Sequence, residues 1–246
     1  MRWLGHTLAI LGLTVLTQLG GLAWGLALLT RWRWKAFPLA YLLVWGAAQL
    51  LVPLAGRVPL PCTGAPLRMQ SAFYCVTMRN FVVPDLAALA QDAAAKVEQQ
   101  HPGTVTLALD GGFPFPGLPL LPHVSHADGR KLDFALYYQT PAGAYLPGKT
   151  RAPLGYFAFE ALDSPQCPPA FPTLRWDFRW MQGVYPDRVL EPLRSKALGR
   201  ALLEDPRLGK MLLEPPLAQQ LGLAGPKLRF QGCRAARHDD HFHAQL

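Results

Sequence analysis

Arg237-His238-Asp239-Asp240-His241-Phe242-His243-Ala244-Gln245 is the stretch from which both the fold and the chemistry of this 246-residue chain are read. Three histidines and two aspartates fall between His238 and His243. Side chains alternate from face to face along an extended segment, so His241 and His243 share a face. One imidazole on that face suits a metal ligand, and its neighbour suits a partner for a metal-bound water.

A second cluster supplies the rest of a site: His123-Val124-Ser125-His126-Ala127-Asp128-Gly129-Arg130-Lys131-Leu132-Asp133. Five of the seven histidines in the chain lie in these two groups, which scattered surface histidines or a terminal tag would not produce. Lys131–Tyr138 is the strongest strand expectation, with Leu132, Phe134, Leu136 and Tyr138 on one face and Asp133 on the other. His126 on the turn before that strand can face the same ion as Asp133. His243 completes a set of two histidines and one aspartate, with a fourth position left for water. Imidazole and carboxylate together favour zinc, and three protein ligands with an open position is the catalytic pattern. Zinc lowers the pKa of its water to about 7. His241 is the candidate general base and then acid to the leaving amine, and Asp240 is its rival. His123 and His238 are candidates to orient a ligand or to stabilise an oxyanion.

Outward from the clusters, helical spacing of Leu86, Leu89, Ala90, Ala93, Ala94 and Val97 predicts a helix with Asp85 as N-cap, stopped by Pro102-Gly103. Thr104–Leu109 reads as a strand ended by Asp110-Gly111-Gly112, and 113–122 as a proline-rich loop. Further on, Gly155–Glu160 reads as a strand, 161–172 as loop and Leu174–Met181 as aromatic and of either type. Val189–Glu204 reads as a helix and Lys227–Gln231 as a strand. Interleaved helices and antiparallel-looking strands predict one α+β domain over 57–246 with a small antiparallel sheet.

The remaining segment, 1–56, is of another kind. Trp3 to Thr30 runs 28 residues, and Ala36 to Gly56 runs 21, without Asp, Glu, Lys or Arg. Each reaches the ~20 apolar residues that cross a bilayer. Two transmembrane helices are therefore expected, with a cleavable signal peptide as the alternative for the first run. Arg31-Trp32-Arg33-Trp34-Lys35 between them points to the cytoplasm, which puts the N-terminus and the domain outside. Five of the 24 cations and none of the 16 anions lie in residues 1–60, so five of the net charge of +8 belong to these first sixty residues and three to the remainder. The mild surplus left to the domain, without a Lys/Arg run, excludes a nucleic-acid reading. All four cysteines follow the second run, an even count that fits two disulfides in an oxidising compartment. Cys62–Cys75 with Cys167–Cys233 is the expected pairing of the three available.

The motifs His123-x-Ser125-His126-x-x-Gly129-x-x-x-Asp133 and His238-x-Asp240-His241-x-His243 resemble those of a known zinc peptidase group. That group unites lysostaphin-type endopeptidases, D-Ala-D-Ala metallopeptidases and the hedgehog N-terminal domain, and the similarity is greatest to penicillin-insensitive murein endopeptidases. Carried over position by position, the resemblance implies zinc on His126, Asp133 and His243, with His241 and His238 near the water. It also implies hydrolysis of peptide bonds in peptidoglycan stems or cross-links. The expectation is thus a zinc metallopeptidase held to the inner membrane by lipid contacts of residues 1–56, with its C-terminal domain periplasmic. The alternative is a zinc-containing, non-catalytic module that binds cell wall or a partner, as hedgehog domains keep the zinc site without established peptidase action.

Overall fold

A computed structural model describes residues 2–121, 123–153, 155, 167–168, 171–173, 175, 183 and 185–246. The strand expected at Gly155–Glu160, the loop at 161–172 and the aromatic stretch Leu174–Met181 lie almost wholly outside the described residues. Mixed helix and sheet follow the expected α+β class. Helices α1 (Arg2–Thr17), α2 (Gly20–Leu28) and α3 (Arg33–Leu51) come first. Strands β1 (Val58–Pro59) and β2 (Leu67–Met69), helix α4 (Ala72–Val76), strand β3 (Phe81–Val82) and helix α5 (Pro84–Gln100) lead to β4 (Thr106–Ala108). A 3-10 turn, Val124–Asp128, precedes β5 (Lys131–Ala135) and β6 (Tyr138–Gln139). Then come β7 (Val189–Leu190), α6 (Pro192–Glu204), β8 (Lys210–Leu212), α7 (Pro215–Leu221), β9 (Leu228–Arg229) and β10 (His241–Gln245).

The expectation of two spans is corrected at the first uncharged run. It does not form one helix. Gln18 adopts φ 65°, and the chain turns back so that α2 packs along α1. Gly21 makes the return path close: a Cβ there would lie 2.0 Å from Thr14 Oγ1. With 16 residues α1 is about 24 Å long, short of the ~30 Å hydrocarbon layer. Among the described residues one helix is long and apolar enough to cross a membrane, α3 with its 3-10 continuation, Arg33–Ala55. The hairpin also brings the start of α1 to the end that carries Arg31–Lys35, with the His6 and Trp24 rings 6.0 Å apart and Trp24 and Trp34 4.7 Å apart. The N-terminal end and the cationic segment are therefore neighbours, not opposite ends as the loop model had them.

These helices are joined to the domain. Gln18 Nε2 donates to the Phe115 carbonyl at 2.6 Å and Phe115 N–H donates to Gln18 Oε1 at 2.9 Å. Tyr41 donates to the Val76 carbonyl and Trp45 Nε1 to that of Cys75. Ala48 and Val52 are buried with Met78 and Phe81.

The site rests on a six-stranded sheet ordered β2-β4-β5-β10-β8-β9. The central pairs are antiparallel and the edge pairs β2–β4 and β8–β9 parallel, so the sheet is mixed rather than wholly antiparallel. The terminal segment is its centre: β10 lies against β5 with His243 opposite Asp133, Phe242 opposite Phe134 and His241 opposite Ala135. Leu132, Phe134, Phe242 and Ala244 enter the main core with the inner face of α5 and with α6. Alternation then forces Asp133, His241 and His243 to the other face. Helix α5 starts one residue before Asp85, because Pro84 has a φ preset for the first helical position and lacks only an N–H that would be unbonded there. Pro192 opens α6 in the same way, and Glu191 caps it by accepting from Arg194 N–H at 2.7 Å, while Val189–Leu190 leave the expected helix to form β7. Both expected disulfides, Cys62–Cys75 and Cys167–Cys233, are formed.

Candidate metal centre

The residues of the upstream cluster reach the sheet through the 3-10 turn. Side chains three apart eclipse in such a turn, so His123, just before it, and His126 within it stack with ring centroids 5.1 Å apart. Gly129 ends the turn at φ 72°, a conformation that suits glycine, and delivers the chain into β5. Asp133 is the third residue of that strand, and β10 places His243 across from it.

The structure brings His126, Asp133 and His243 together. His243 Nδ1 lies 2.8 Å from Asp133 Oδ1, His126 Nε2 lies 3.3 Å from His243 Nδ1, and His126 Nε2 lies 3.6 Å from Asp133 Oδ1. Three donors around a tetrahedral ion with bonds of about 2.0–2.1 Å are roughly 3.3 Å apart, and the three edges bracket that value. His126 is fixed in the tautomer a ligand needs: its Nδ1–H donates to the Gly111 carbonyl at 2.8 Å, which leaves the Nε2 lone pair facing inward. Asp133 Oδ1 forms the triangle, while its Oδ2, turned to His123, is buried and accepts no hydrogen bond, a costly state for a carboxylate unless a cation neutralises the group. These observations fit a metal ion on these three residues.

The other predicted residues surround this triangle. His241 Nδ1–H donates to Asp240 at 2.5 Å, and its Nε2 comes within 3.7 Å of Asp133 Oδ1. Asp240 thus braces His241 from behind. His123 is braced the same way: its Nδ1–H donates to Asp110 Oδ2 at 2.6 Å and its Nε2 is 3.3 Å from Asp133 Oδ2. The His238 ring centroid is 5.2 Å from those of both His241 and His243. Five histidines and Asp133 are each at most 4% exposed, a concentration of buried titratable groups that points to a functional centre.

Electrostatics sort the imidazoles. Burial pushes His126 down to about 3, against the pull of Asp133, so it is neutral and able to ligate. Burial lowers His243 and His238 too. Burial also opposes a charge on His241, but Asp133 and Asp240 outweigh it and raise that imidazole to about 9. Asp133 stays ionised: burial would raise it, yet His126, His241, His123 and His243 hold it well below the usual carboxylate range.

Sequence reasoning missed four contributors. Asp110 and Gly111 were read only as the end of a strand. Arg79 was not noticed; it forms a two-pronged pair with Asp110, Nε to Oδ1 at 2.7 Å and Nη2 to Oδ2 at 2.8 Å, and so backs the Asp110–His123 contact. Gly155 lies against the imidazoles, where a Cβ would stand 2.9 Å from His241 Cε1 and 3.2 Å from His123 Nε2. An acid and two glycines immediately after a short strand was the one available signal, since such a turn presents both a carboxylate and a bare carbonyl. Compared with known proteins, the chain matches no family model and no curated protein.

Proposed function

We propose that this protein is a membrane-anchored zinc metallopeptidase that acts outside the cytoplasm on peptide bonds of peptidoglycan stems or cross-links. The observation that carries the reading is the triangle of His126, Asp133 and His243, with a braced, strongly basic His241 beside it. The mixed imidazole–carboxylate donor set suits zinc among the common ions. Zinc bound there would supply Lewis acidity and an acidified water. His241 Nε2 takes the proton from the attacking water and returns it to the leaving amine. Asp240 keeps the His241 proton on Nδ1, so that Nε2 is the atom that exchanges it. A cation sharing Asp133 would weaken the hold of that carboxylate on His241 and so lower its pKa, the direction a general base needs. His123 and His238 flank this base, and a neutral His238 could turn an N–H toward the developing oxyanion. The murein substrate rests on the motif resemblance and on disulfides that fit an oxidising compartment.

The test is incubation of the full chain with muropeptides, with and without chelator, read by mass spectrometry. Chelator-sensitive cleavage is expected. His126→Ala, Asp133→Ala and His243→Ala should each lose tightly bound zinc by elemental analysis, and full zinc occupancy in all three would sink the ligand assignment. A folded, zinc-loaded wild type that cleaves no D,D- or L,D-linked muropeptide favours the alternative, a zinc-bearing wall-binding module.

A further inference from the structure

His123 and His241 are held like metal ligands. Each gives its Nδ1–H to a buried carboxylate, Asp110 at 2.6 Å and Asp240 at 2.5 Å, and each turns Nε2 toward Asp133. A carboxylate behind an imidazole is the usual support of a metal-bound histidine, because it fixes the tautomer and raises the basicity of the ligating nitrogen. The Nε2 atoms and a carboxylate oxygen of Asp133 lie within 4.8 Å of one another. Three overlapping donor sets exist in the centre, and only one pair of them is compatible. The set His238, His241 and His243 competes with the first site for His243 Nδ1. The set His123, Asp133 and His241 shares only Asp133 with His126 and His243. A carboxylate can serve two cations, one on each oxygen. Asp133 is disposed to do so: Oδ1 faces His126 and His243 and lies 3.7 Å from His241 Nε2, while Oδ2, which accepts no hydrogen bond, faces His123 Nε2 at 3.3 Å.

We infer that His123, His241 and Asp133 form a second, weaker divalent-cation site, bridged to the first through Asp133. Charge permits it. Asp110 and Asp240 stand behind the two imidazoles, and with Asp133 they offset the charge of an added cation. The functional consequence rests on the catalytic reading above. A cation on His241 Nε2 occupies the lone pair that would take the proton of water, so filling the second site stops turnover while the first site stays loaded. Excess zinc is then an inhibitor, and the same imidazole is base at low zinc and ligand at high zinc.

Metal counting tests the site without reference to activity. The full-length protein, stripped by chelator, is brought to equilibrium by dialysis against graded zinc alone, and bound zinc is measured by elemental analysis. About two ions per chain are expected, in two classes at least roughly tenfold apart in affinity, because the second site has the shared carboxylate. His123→Gln, whose amide can still donate to Asp110, should lose the weak class and keep the tight one. Asp110→Asn should weaken the second class by roughly 10–100-fold, the usual cost of losing a carboxylate behind a ligand, with the tight class unmoved. A wild type that saturates at one ion overturns the second site and leaves the proposed function intact. Two ions retained in His123→Gln also overturns it, since the extra ion then binds elsewhere. No bound zinc at all overturns both readings.

Discussion

Asp240 and His241 are adjacent in sequence, and the geometry separates their roles. Asp240 accepts the proton of Nδ1, and the exchanging atom, Nε2, points to Asp133. His241→Ala should therefore keep the tight zinc ion and lose roughly 10²–10⁴-fold in turnover, the range for a missing general base. Asp240→Asn should lose less, with an altered pH profile, because the imidazole remains. Rates and zinc content of both variants decide: a dead Asp240→Asn beside a working His241→Ala would reverse the assignment. Gly155→Ala tests the cover of the same ring. The added methyl meets His241 Cε1 at 2.9 Å, so turnover should fall by more than the thermal midpoint suggests. Kinetics and melting of that variant check this, and wild-type rates would mean that the ring yields freely. At this scale the His/Asp cluster was legible because, in a strand, period-2 alternation puts His241 and His243 on one face. Asp110 was not, because its value depends on meeting His123 across a proline-rich loop.

Between elements, the centre depends on the loop after β4 as much as on the two strands. Arg79 and Asp110 are both buried and bonded twice, so loss of one leaves the other charged and without its counterion. Asp110→Asn should cost about 3–5 kcal/mol at neutral pH. The pH dependence has a definite sign. Burial alone would raise Asp110, but His123 and then Arg79 bring it below the ordinary value of an aspartate. A carboxyl depressed in the folded state contributes stability that is complete above its unfolded pKa and is lost as pH falls through the folded value. The gap between wild type and Asp110→Asn should then be full at pH 6 and shrink below about pH 3.8. Urea midpoints measured in chelator, to remove the metal contribution, give the answer, and a gap independent of pH refutes the linkage. The helices α5 and α6 were readable from apolar spacing, and their starts moved only by what proline does at a first helical position. The pairing of β10 with β5 was not readable, since register is a property of two strands and each sequence describes one.

For the whole molecule, the side of the membrane is the open variable. A reporter fused after Leu246 should work only if it is of a type active outside the cytoplasm. Activity of a cytoplasm-only reporter there would remove the cell-wall substrate along with the topology. The N-terminal segment was half legible: length and apolarity picked out α3, long and apolar enough to cross a membrane, but nothing in the hydropathy of Trp3–Thr30 marks the reversal at Gln18, which is fixed by a partner 97 residues away. That partner has a mechanical meaning. A head on a slack leash sweeps a volume, whereas this one is riveted to its post at Phe115, Val76 and Cys75, with four residues of 3-10 helix, Val52–Ala55, as its neck. The buried His/Asp cluster is thereby held at one fixed distance from the end of α3, so anything it binds has to reach it there.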